Sequence, residues 1–355
     1  MRWFVLALCY ITMIDRAAAG DVQDAAEALR RGQYPKAIKL LDAVLADEPN
    51  QARARAMRGR AHLEAKAYDK AAADFTAAIE AKSAAPQGEA YLGRGRAWYG
   101  LGKCDEALVD LNKAVELKPR SAACYFHRGR VLQTKRDFDA ALRDFDHAVE
   151  LNDAAAAYFI ARGQLNFERG ARFVQYAAER DGKTFTYQQP EGIVDRGRVD
   201  AAIADWTKAA ELDAAGIEAY ELRALAWRVI GDQTKHVADL KQAVERDPDN
   251  AERLNHSAWI LAVDPDPNVR DGKTALAYAE KACALTKRQN VRFLDTLAAA
   301  LAENGRFRRA AVVQKQVIDL VKREPGADAA DFETRLELYQ AGKPFHLPPT
   351  TPGTP

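Results

Sequence analysis

The feature that most constrains this chain is a segment of about 34 residues that recurs along it. The same arrangement of aromatic, small and charged residues runs from Tyr91 to Pro119, from Tyr125 to Leu151 and from Tyr220 to Pro248. One position of the arrangement returns in steps of 34, 36, 34, 61, 34, 39 and 35 residues, at Ala37, Ala71, Ala107, Ala141, Ala202, His236, Ala275 and Ala310. Self-similarity at this period predicts eight structural units, each of which buries its apolar side against its neighbours.

Each unit contains two stretches with apolar and small residues at three- and four-residue spacing, which is typical of amphipathic helices. A short turn such as Gly102-Lys103 joins the stretches, and a proline such as Pro119 ends the unit. Small residues are expected where the two helices cross, and the first helix has them at Ala25, Gly59, Gly95, Gly129, Gly163, Ala224, Ala258 and Ala298. His236 breaks the alanine pattern of the second helix, so we expect there a hydrogen-bonded interior histidine or a loosened helix joint.

On these residues the chain resembles the tetratricopeptide repeat (TPR) family of bacterial type, with a typical C-terminal pair of repeats and a capping helix. The resemblance covers about residues 21–326. It implies an all-α fold, a right-handed α-solenoid of about eight helix pairs closed by the capping helix. It also implies that the concave face binds a protein or a peptide.

The ends of the chain differ from the repeats. Arg2, the apolar run Trp3–Ile14 and the small residues Ala17–Ala19 predict a secretory signal peptide, and the apolar run is short for a membrane span. The predicted domains are a signal peptide (1–19), the TPR array (20–326), a capping helix (327–343) and a disordered proline-rich tail (344–355). Cleavage predicts a bacterial periplasmic or secreted protein with no transmembrane segment in the mature chain. The alternatives are a membrane-anchored or a cytoplasmic protein.

An insert of 27 residues, about residues 171–197, interrupts the fifth unit. Its first half has a helical pattern, Lys183–Tyr187 alternates like a short strand, and Pro190-Glu191-Gly192 predicts a turn. Its aromatic residues favour an ordered contact element over a flexible loop, and they are Phe173, Tyr176, Phe185 and Tyr187.

Five units carry an arginine just before the small residue of the first helix and an aspartate at one place in the second. The arginines are Arg58, Arg94, Arg128, Arg162 and Arg223, and the aspartates are Asp74, Asp110, Asp144, Asp205 and Asp239. The other three units carry neither. This all-or-none pairing predicts a ladder of half-buried Arg–Asp bridges that specifies the register of the helices. The alternative is a set of solvated charges inherited by duplication, which would contribute little to stability.

A second set of arginines, Arg60, Arg96 and Arg130, lies two residues further along, on another face of the helix. The family resemblance implies that this face lines the groove, with Leu92, Phe126 and Ile160 one turn earlier and Tyr99, Gln133 and Phe167 one turn later. Such a groove suits an extended segment that carries a carboxylate or acidic side chains. Alternatively, these arginines lie over neighbouring helices and bind no ligand. The family's clamp for acidic chain ends is not implied, because its lysine and asparagine positions hold other residues here.

Composition excludes several classes of function. A formal net charge of +1 and the lack of a basic stripe argue against nucleic-acid binding. The histidines and cysteines show no metal-ligand spacing, and no nucleophile motif or phosphate loop stands out, so we predict neither a cofactor nor catalysis. The sequence therefore predicts a non-enzymatic scaffold that binds a protein or peptide. The alternatives are an accessory subunit of an extracytoplasmic enzyme and a self-assembling structural array.

Overall fold

The computed structural model describes residues 21–81, 87–180, 183–287, 289–323 and 328–347, and it describes only the backbone of residues 175–180, 183–189 and 191. The predicted signal peptide lies outside the described residues, as do residues 348–355 of the predicted tail. The described residues form two compact units, an N-terminal unit that ends at Ala161 and a C-terminal unit that begins at Arg162.

The N-terminal unit consists of helix pairs joined by tight turns. Its helices are α1 (residues 21–30), α2 (Tyr34–Asp47), α3 (Ala52–Glu64), α4 (Tyr68–Glu80), α5 (Gln87–Gly100), α6 (Cys104–Leu117), α7 (Ala122–Thr134) and α8 (Phe138–Leu151). A Cβ atom on Gly95 would lie 2.8 Å from Leu111 Cγ, and one on Gly129 would lie 2.8 Å from Phe145 Cε1. Because a side chain cannot fit at these distances, glycine allows the two helices of each pair to pack closely.

Helix α9 (Ala156–Gly170) begins in the N-terminal unit and continues into the C-terminal unit. The elements that follow are β1 (Ala171–Arg180), β2 (Lys183–Ile193), α10 (Arg196–Leu212), α11 (Glu218–Ile230), α12 (Gln233–Arg246), α13 (Ala251–Val263), α14 (Gly272–Leu285), α15 (Val291–Glu303), α16 (Phe307–Val321) and α17 (Ala330–Gln340). Helix α17 packs on α16, and its Tyr339 is buried in the same core as Phe293 of α15. The fold is thus an all-α solenoid with one hairpin in its described part, which confirms the predicted fold class.

The insert forms a β-hairpin instead of the predicted helix and short strand. Strands β1 and β2 pair antiparallel, from Ala171 opposite Ile193 to Arg180 opposite Lys183. The prediction of a helix for the first half was wrong, because backbone pairing between strands outweighs the helix preference of its alanine and glutamate residues. The Asp-Gly pair at positions 181–182, which is typical of two-residue hairpin loops, is a sequence signal for this hairpin.

The predicted turn at Pro190-Glu191-Gly192 was also wrong, since these residues belong to β2. The strand register shifts between Arg172 and Phe173, which lie opposite Gly192 and Pro190. A bulge accommodates a proline within a strand, because proline cannot donate a hydrogen bond to the neighbouring strand.

Among the described residues, no helix combines the length and the apolar character that crossing a bilayer requires. The same residues contain no group of three His, Cys, Asp or Glu side chains that could hold a metal ion. Cys104 and Cys124 are free thiols, and the thiol of Cys283 donates to the carbonyl oxygen of Phe293.

Candidate functional site

The predicted Arg–Asp pairs are each joined by two parallel hydrogen bonds. Arg94 donates from Nε to Asp110 Oδ2 at 2.7 Å and from Nη2 to Asp110 Oδ1 at 2.8 Å. Distances from 2.7 to 3.0 Å join the other pairs, which are Arg58–Asp74, Arg128–Asp144, Arg162–Asp205 and Arg223–Asp239. The aspartates are only 3 to 5% exposed. The structure therefore brings together all ten residues of the ladder.

The third nitrogen of these arginines reaches the preceding repeat. Nη1 of Arg94 lies 3.2 Å from Thr76 Oγ1, and Nη1 of Arg128 lies 3.1 Å from Asn112 Oδ1. The corresponding pairs are Arg58 with Asp42 at 2.6 Å and Arg223 with Thr207 at 2.9 Å. These acceptors were not predicted from the sequence. Each lies two residues after the position of the ladder aspartate in the second helix of the preceding repeat.

The ladder arginines thus serve the architecture of the repeats. Hydrogen bonding to the aspartates raises the pKa of Arg94 and Arg128 above its ordinary value, although burial opposes this shift. The rings of Tyr91 and Tyr125 also lie 5.5 and 5.6 Å from the guanidinium carbons of these two arginines. With three nitrogens bound to protein, these side chains have little capacity to bind a ligand.

A cleft of about 1050 Å³, which we call the N-terminal cleft, opens on the face formed by α1, α3 and α5. Its apolar lining includes Leu29, Met57, Leu63, Phe75 and Leu92. The ring of Phe75 reaches Gly93, where a Cβ atom would lie 2.2 Å from the ring atom Cζ. Glycine at this position therefore leaves room for the aromatic ring in the floor of the cleft.

Four arginines border the N-terminal cleft: Arg30, Arg53, Arg60 and Arg96. Arg30 binds the carboxylate of Glu27 at 2.9 Å, and Arg96 binds that of Glu64 at 3.1 Å. Arg53 and Arg60 are exposed, and within the described residues neither forms an ion pair. Two positive charges above an apolar floor are therefore available to an anionic ligand.

Arg130, the third arginine predicted for the groove, lies in α7 beside Tyr99. Its guanidinium carbon is 5.6 Å from the centre of the Tyr99 ring, and Tyr99 Oη is 3.0 Å from Thr134 Oγ1. Sequence reasoning missed the neighbouring His127, whose pKa is lowered to about 3 by burial and by the charges of Arg96 and Arg130. Arg96 and Arg130 therefore lie close enough to His127 for their charges to act on its ring.

The remaining residues predicted for the groove of the N-terminal unit are only partly accessible. Leu92 lines the cleft. The ring of Phe126 packs against that of Tyr158, with 4.8 Å between the ring centres. Gln133 and Ile160 are half-buried. Of the residues predicted for the groove, Arg60, Arg96 and Leu92 therefore line the N-terminal cleft.

Phe167 lies in the C-terminal unit and is 5% exposed. Its ring centre is 5.5 Å from that of Trp206 and 6.1 Å from that of Phe173 in the insert. Phe167 is thus a core residue, because the insert supplies Phe173 as an aromatic neighbour. The other aromatic residues predicted as insert contacts lie where only the backbone is described, at Tyr176, Phe185 and Tyr187.

Models of the tetratricopeptide repeat match two parts of the chain, residues 25–86 and residues 122–154. This chain is a tetratricopeptide repeat protein. In this TPR protein the matched parts include the ladder pairs Arg58–Asp74 and Arg128–Asp144 and much of the N-terminal cleft.

Solved structures share the fold of this TPR protein at low sequence identity. The C-terminal part of a TPR repeat-containing protein from Cytophaga hutchinsonii is 16% identical, covering 78% of this chain and 99% of that chain, with a TM-score of 0.53. PilF of Pseudomonas aeruginosa is 16% identical over 69% of this chain and 98% of that chain, with a TM-score of 0.51. In the APC/C hetero-tetramer Cut9–Hcn1, the match is 15% identical over 78% of this chain and 48% of that chain, with a TM-score of 0.51. These likenesses concern the fold alone, and no curated protein matches the chain.

Proposed function

We propose that this TPR protein is a non-enzymatic scaffold that binds a protein or peptide segment, and that the N-terminal cleft receives acidic side chains of that segment. The observation that carries the proposal is the pair of exposed arginines, Arg53 and Arg60, beside an apolar floor that includes Met57 and Phe75. Repeat arrays of this family present extended surfaces to protein partners, which agrees with this use of the cleft.

The N-terminal cleft offers a peptide three kinds of contact. Its floor can bury an apolar side chain, which contributes about 1.5–3 kcal/mol when burial is complete. Its arginines can each bind a carboxylate through two parallel N–H donors. Gln51 lines the cleft, and its Oε1 is buried and lacks a hydrogen-bond partner among the described residues, while Nε2 donates to Glu48 at 2.8 Å. This oxygen can therefore accept a hydrogen bond from a peptide N–H group.

Fluorescence anisotropy with a labelled peptide of alternating glutamate and leucine tests the proposal. We expect the double variant Arg53→Glu, Arg60→Glu to bind it about 100-fold more weakly, because two charge-assisted contacts of about 1.5 kcal/mol each are lost. The control variant Arg306→Glu, Arg308→Glu changes the charge equally at exposed positions of the C-terminal unit and should bind normally. Equal affinities of the two variants, or equal binding of a glutamine–leucine peptide, would contradict the proposal.

A pull-down from a bacterial periplasmic extract can identify the natural partner. The wild-type chain is compared with the triple variant Arg60→Glu, Arg96→Glu, Arg130→Glu, and recovery of identical proteins would rule out binding through these arginines. Export itself is a proposal that depends on residues 1–19, and the mass of the mature N-terminus tests it.

A further inference from the structure

His236 is the exception among eight equivalent positions. In the other seven repeats this position is an alanine that is 0% exposed, at Ala37, Ala71, Ala107, Ala141, Ala202, Ala275 and Ala310. His236 is also buried, with 3% of its surface exposed. An imidazole ring therefore occupies a helix crossing that the rest of the array fills with a methyl group.

The hydrogen bonding of His236 fixes which ring nitrogen is free. Nδ1 lies 2.8 Å from the carbonyl oxygen of Ala224, which can only accept, so Nδ1 carries the proton. Burial lowers the pKa of the ring to about 4, so the ring is neutral near pH 7 and Nε2 is an acceptor. Nε2 is buried and has no hydrogen-bond partner among the described residues.

His236 lines a second cleft, of about 800 Å³, which we call the C-terminal cleft and which opens between α11, α13 and α15. Asn255 lines the same cleft, is 8% exposed, and has an Oδ1 atom that is likewise buried without a partner in the described part of the chain. Two acceptors in one cleft therefore lack donors. A buried acceptor left without a donor is unfavourable, so a ligand that supplies donors gains affinity.

The carboxylates of the C-terminal cleft are already neutralised by arginines. Glu221 accepts a hydrogen bond from Arg253 at 2.8 Å, and Glu252 forms an ion pair with Arg292. Asp295 accepts a hydrogen bond from Arg335 at 3.0 Å. The three carboxylates of this cleft are therefore paired within the protein, and the exposed Arg228 also lines the cleft.

We propose that the C-terminal cleft binds a peptide segment that donates amide N–H groups to His236 Nε2 and Asn255 Oδ1. This site lies in a different unit from the N-terminal cleft and selects a different chemistry, so it does not depend on the function proposed above. A cleft of 800 Å³ lies within the usual size range of ligand sites. The departure of His236 from the alanine of the other repeats agrees with a role in binding rather than in packing.

Substitution of the two acceptors separates binding from folding. The variant His236→Ala restores the residue of the other seven repeats, so we expect it to fold with an unchanged or higher melting temperature. The probe is a labelled pool of acetylated, amidated hexapeptides of asparagine, glutamine, serine and threonine. We expect His236→Ala and Asn255→Leu each to weaken binding of this pool about 10-fold. A matched control is Ser257→Ala, whose Oγ is also buried and unpartnered among the described residues but does not line the cleft, and it should bind normally.

Nuclear magnetic resonance of the full chain with ¹⁵N-labelled histidine gives a second measurement. We expect the Nε2 resonance of His236 to shift on addition of the uncharged pool in the wild type, and we expect no such shift of a surface histidine such as His147. The proposal would be overturned if the Nε2 resonance does not shift, or if His236→Ala and Asn255→Leu bind the pool as tightly as the wild type. Either result would mean that enclosed water satisfies these acceptors. The variant Arg53→Glu, Arg60→Glu should bind the uncharged pool normally, which distinguishes failure of this site from failure of the N-terminal cleft.

Discussion

Arg94 Nη1 lies 3.2 Å from Thr76 Oγ1, an atom of the repeat that precedes its own. The same guanidinium binds Asp110 within its own repeat, so one side chain joins the second helices of two consecutive repeats. The stability of a repeat array is approximately the sum of the stabilities of its repeats and of the interfaces between neighbours. The ladder therefore contributes both within a repeat and between repeats.

The hydrogen bond from Arg94 Nη1 to Thr76 Oγ1 predicts that removal of the Thr76 hydroxyl destabilises the chain. We expect Thr76→Val to lower the free energy of unfolding by about 1 kcal/mol, because Nη1 of Arg94 loses its partner while the shape of the side chain is kept. Thr207→Val should have the same effect through Arg223. Urea denaturation followed by circular dichroism measures both losses.

A matched control removes a threonine hydroxyl that no arginine uses. Thr76 and Thr207 each also donate to a carbonyl of their own helix, and Thr286 donates in the same way to the carbonyl of Ala282. Thr286→Val therefore measures the loss of the local bond alone. If it costs as much as Thr76→Val, the bond between the repeats contributes nothing measurable.

The bidentate pair of each ladder step predicts strong coupling in a double-mutant cycle. We expect Arg128→Ala and Asp144→Ala to destabilise the chain non-additively, with a coupling free energy of about 1.5–3 kcal/mol, because the side chains share two charge-assisted bonds. Urea denaturation of the two single variants and the double variant gives this value. Additive losses would show that the pair is present but energetically irrelevant, as for exposed ion pairs.

The ladder was predictable from the sequence because its signal is repeated. Arginine and aspartate occur together in five units, 16 residues apart in four of them and 43 apart in the unit with the insert, and the pair is missing from three units, which indicates contact without any structure. The acceptors of Nη1 gave no such signal, because the position is Asp42, Thr76, Asn112 or Thr207 in different repeats. Aspartate, threonine and asparagine share an oxygen atom that accepts a hydrogen bond. Because the residue type differs from repeat to repeat, a single sequence does not show the position as a pattern.

The candidate sites were harder to predict than the fold, because local exceptions determine them. Phe167 occupies a groove position in the repeat pattern, but the insert buries it against Phe173. Arg53 is a candidate because it forms no ion pair within the described residues, whereas Arg96 of the same cleft is bound to Glu64. The sequence does not show which arginines are paired, because such pairs form between helices. His236 was visible as an exception, but its unpartnered Nε2 requires three-dimensional positions.

The turns between the helices of each pair predict stabilising substitutions. Lys66 and Arg136 have positive φ angles of 60° and 64°, at positions where Gly102 and Gly231 have φ angles of 75° and 87°. The left-handed region is costly for residues with a Cβ atom. We expect Lys66→Gly and Arg136→Gly each to raise the free energy of unfolding by about 0.5–1 kcal/mol in thermal and urea denaturation. Destabilisation by both variants would show that the lysine and arginine side chains make compensating contacts.

The buried His236 predicts a pH dependence of stability. Burial lowers its pKa from 6.5 to about 4, and the charges of His256 and Arg228 act in the same direction, whereas its bond to Ala224 and the charge of Asp239 oppose the shift. A folded-state pKa below the unfolded value means that the stabilising contribution is complete above about pH 6.5 and is lost as the pH falls towards about 4.

We therefore expect the free energy of unfolding to decrease between about pH 7 and about pH 5 more steeply in the wild type than in His236→Ala. Urea denaturation at several pH values measures the two slopes. The variant His147→Ala, at an exposed position of the N-terminal unit, should keep the slope of the wild type. Parallel slopes for the wild type and His236→Ala would mean that other groups cause the pH dependence.

The capping helix α17 is attached to the repeats through a buried carboxylate. Asp295 of α15 is 7% exposed and accepts hydrogen bonds from Arg335 Nε at 3.0 Å and from Gln314 Nε2 at 2.9 Å. Aromatic rings surround the guanidinium of Arg335, with centres 4.9 to 5.9 Å from Cζ, and they belong to Trp259, Phe332 and Phe345. This environment excludes water from the ion pair, so the loss of one partner is costly.

We expect Arg335→Ala to lower the free energy of unfolding by about 3 kcal/mol, because it leaves the buried carboxylate of Asp295 without its counter-charge. Burial already raises the pKa of Asp295 above its ordinary value, and removing Arg335 raises it further, since the guanidinium charge opposes that shift. The loss should therefore diminish as the pH falls and the carboxyl group is protonated. In an Asp295→Asn background the uncompensated charge is absent, so Arg335→Ala should cost clearly less than in the wild type. Urea denaturation of the four chains at two pH values measures this difference, and equal costs in both backgrounds would show that Arg335 stabilises the cap only through its aromatic neighbours.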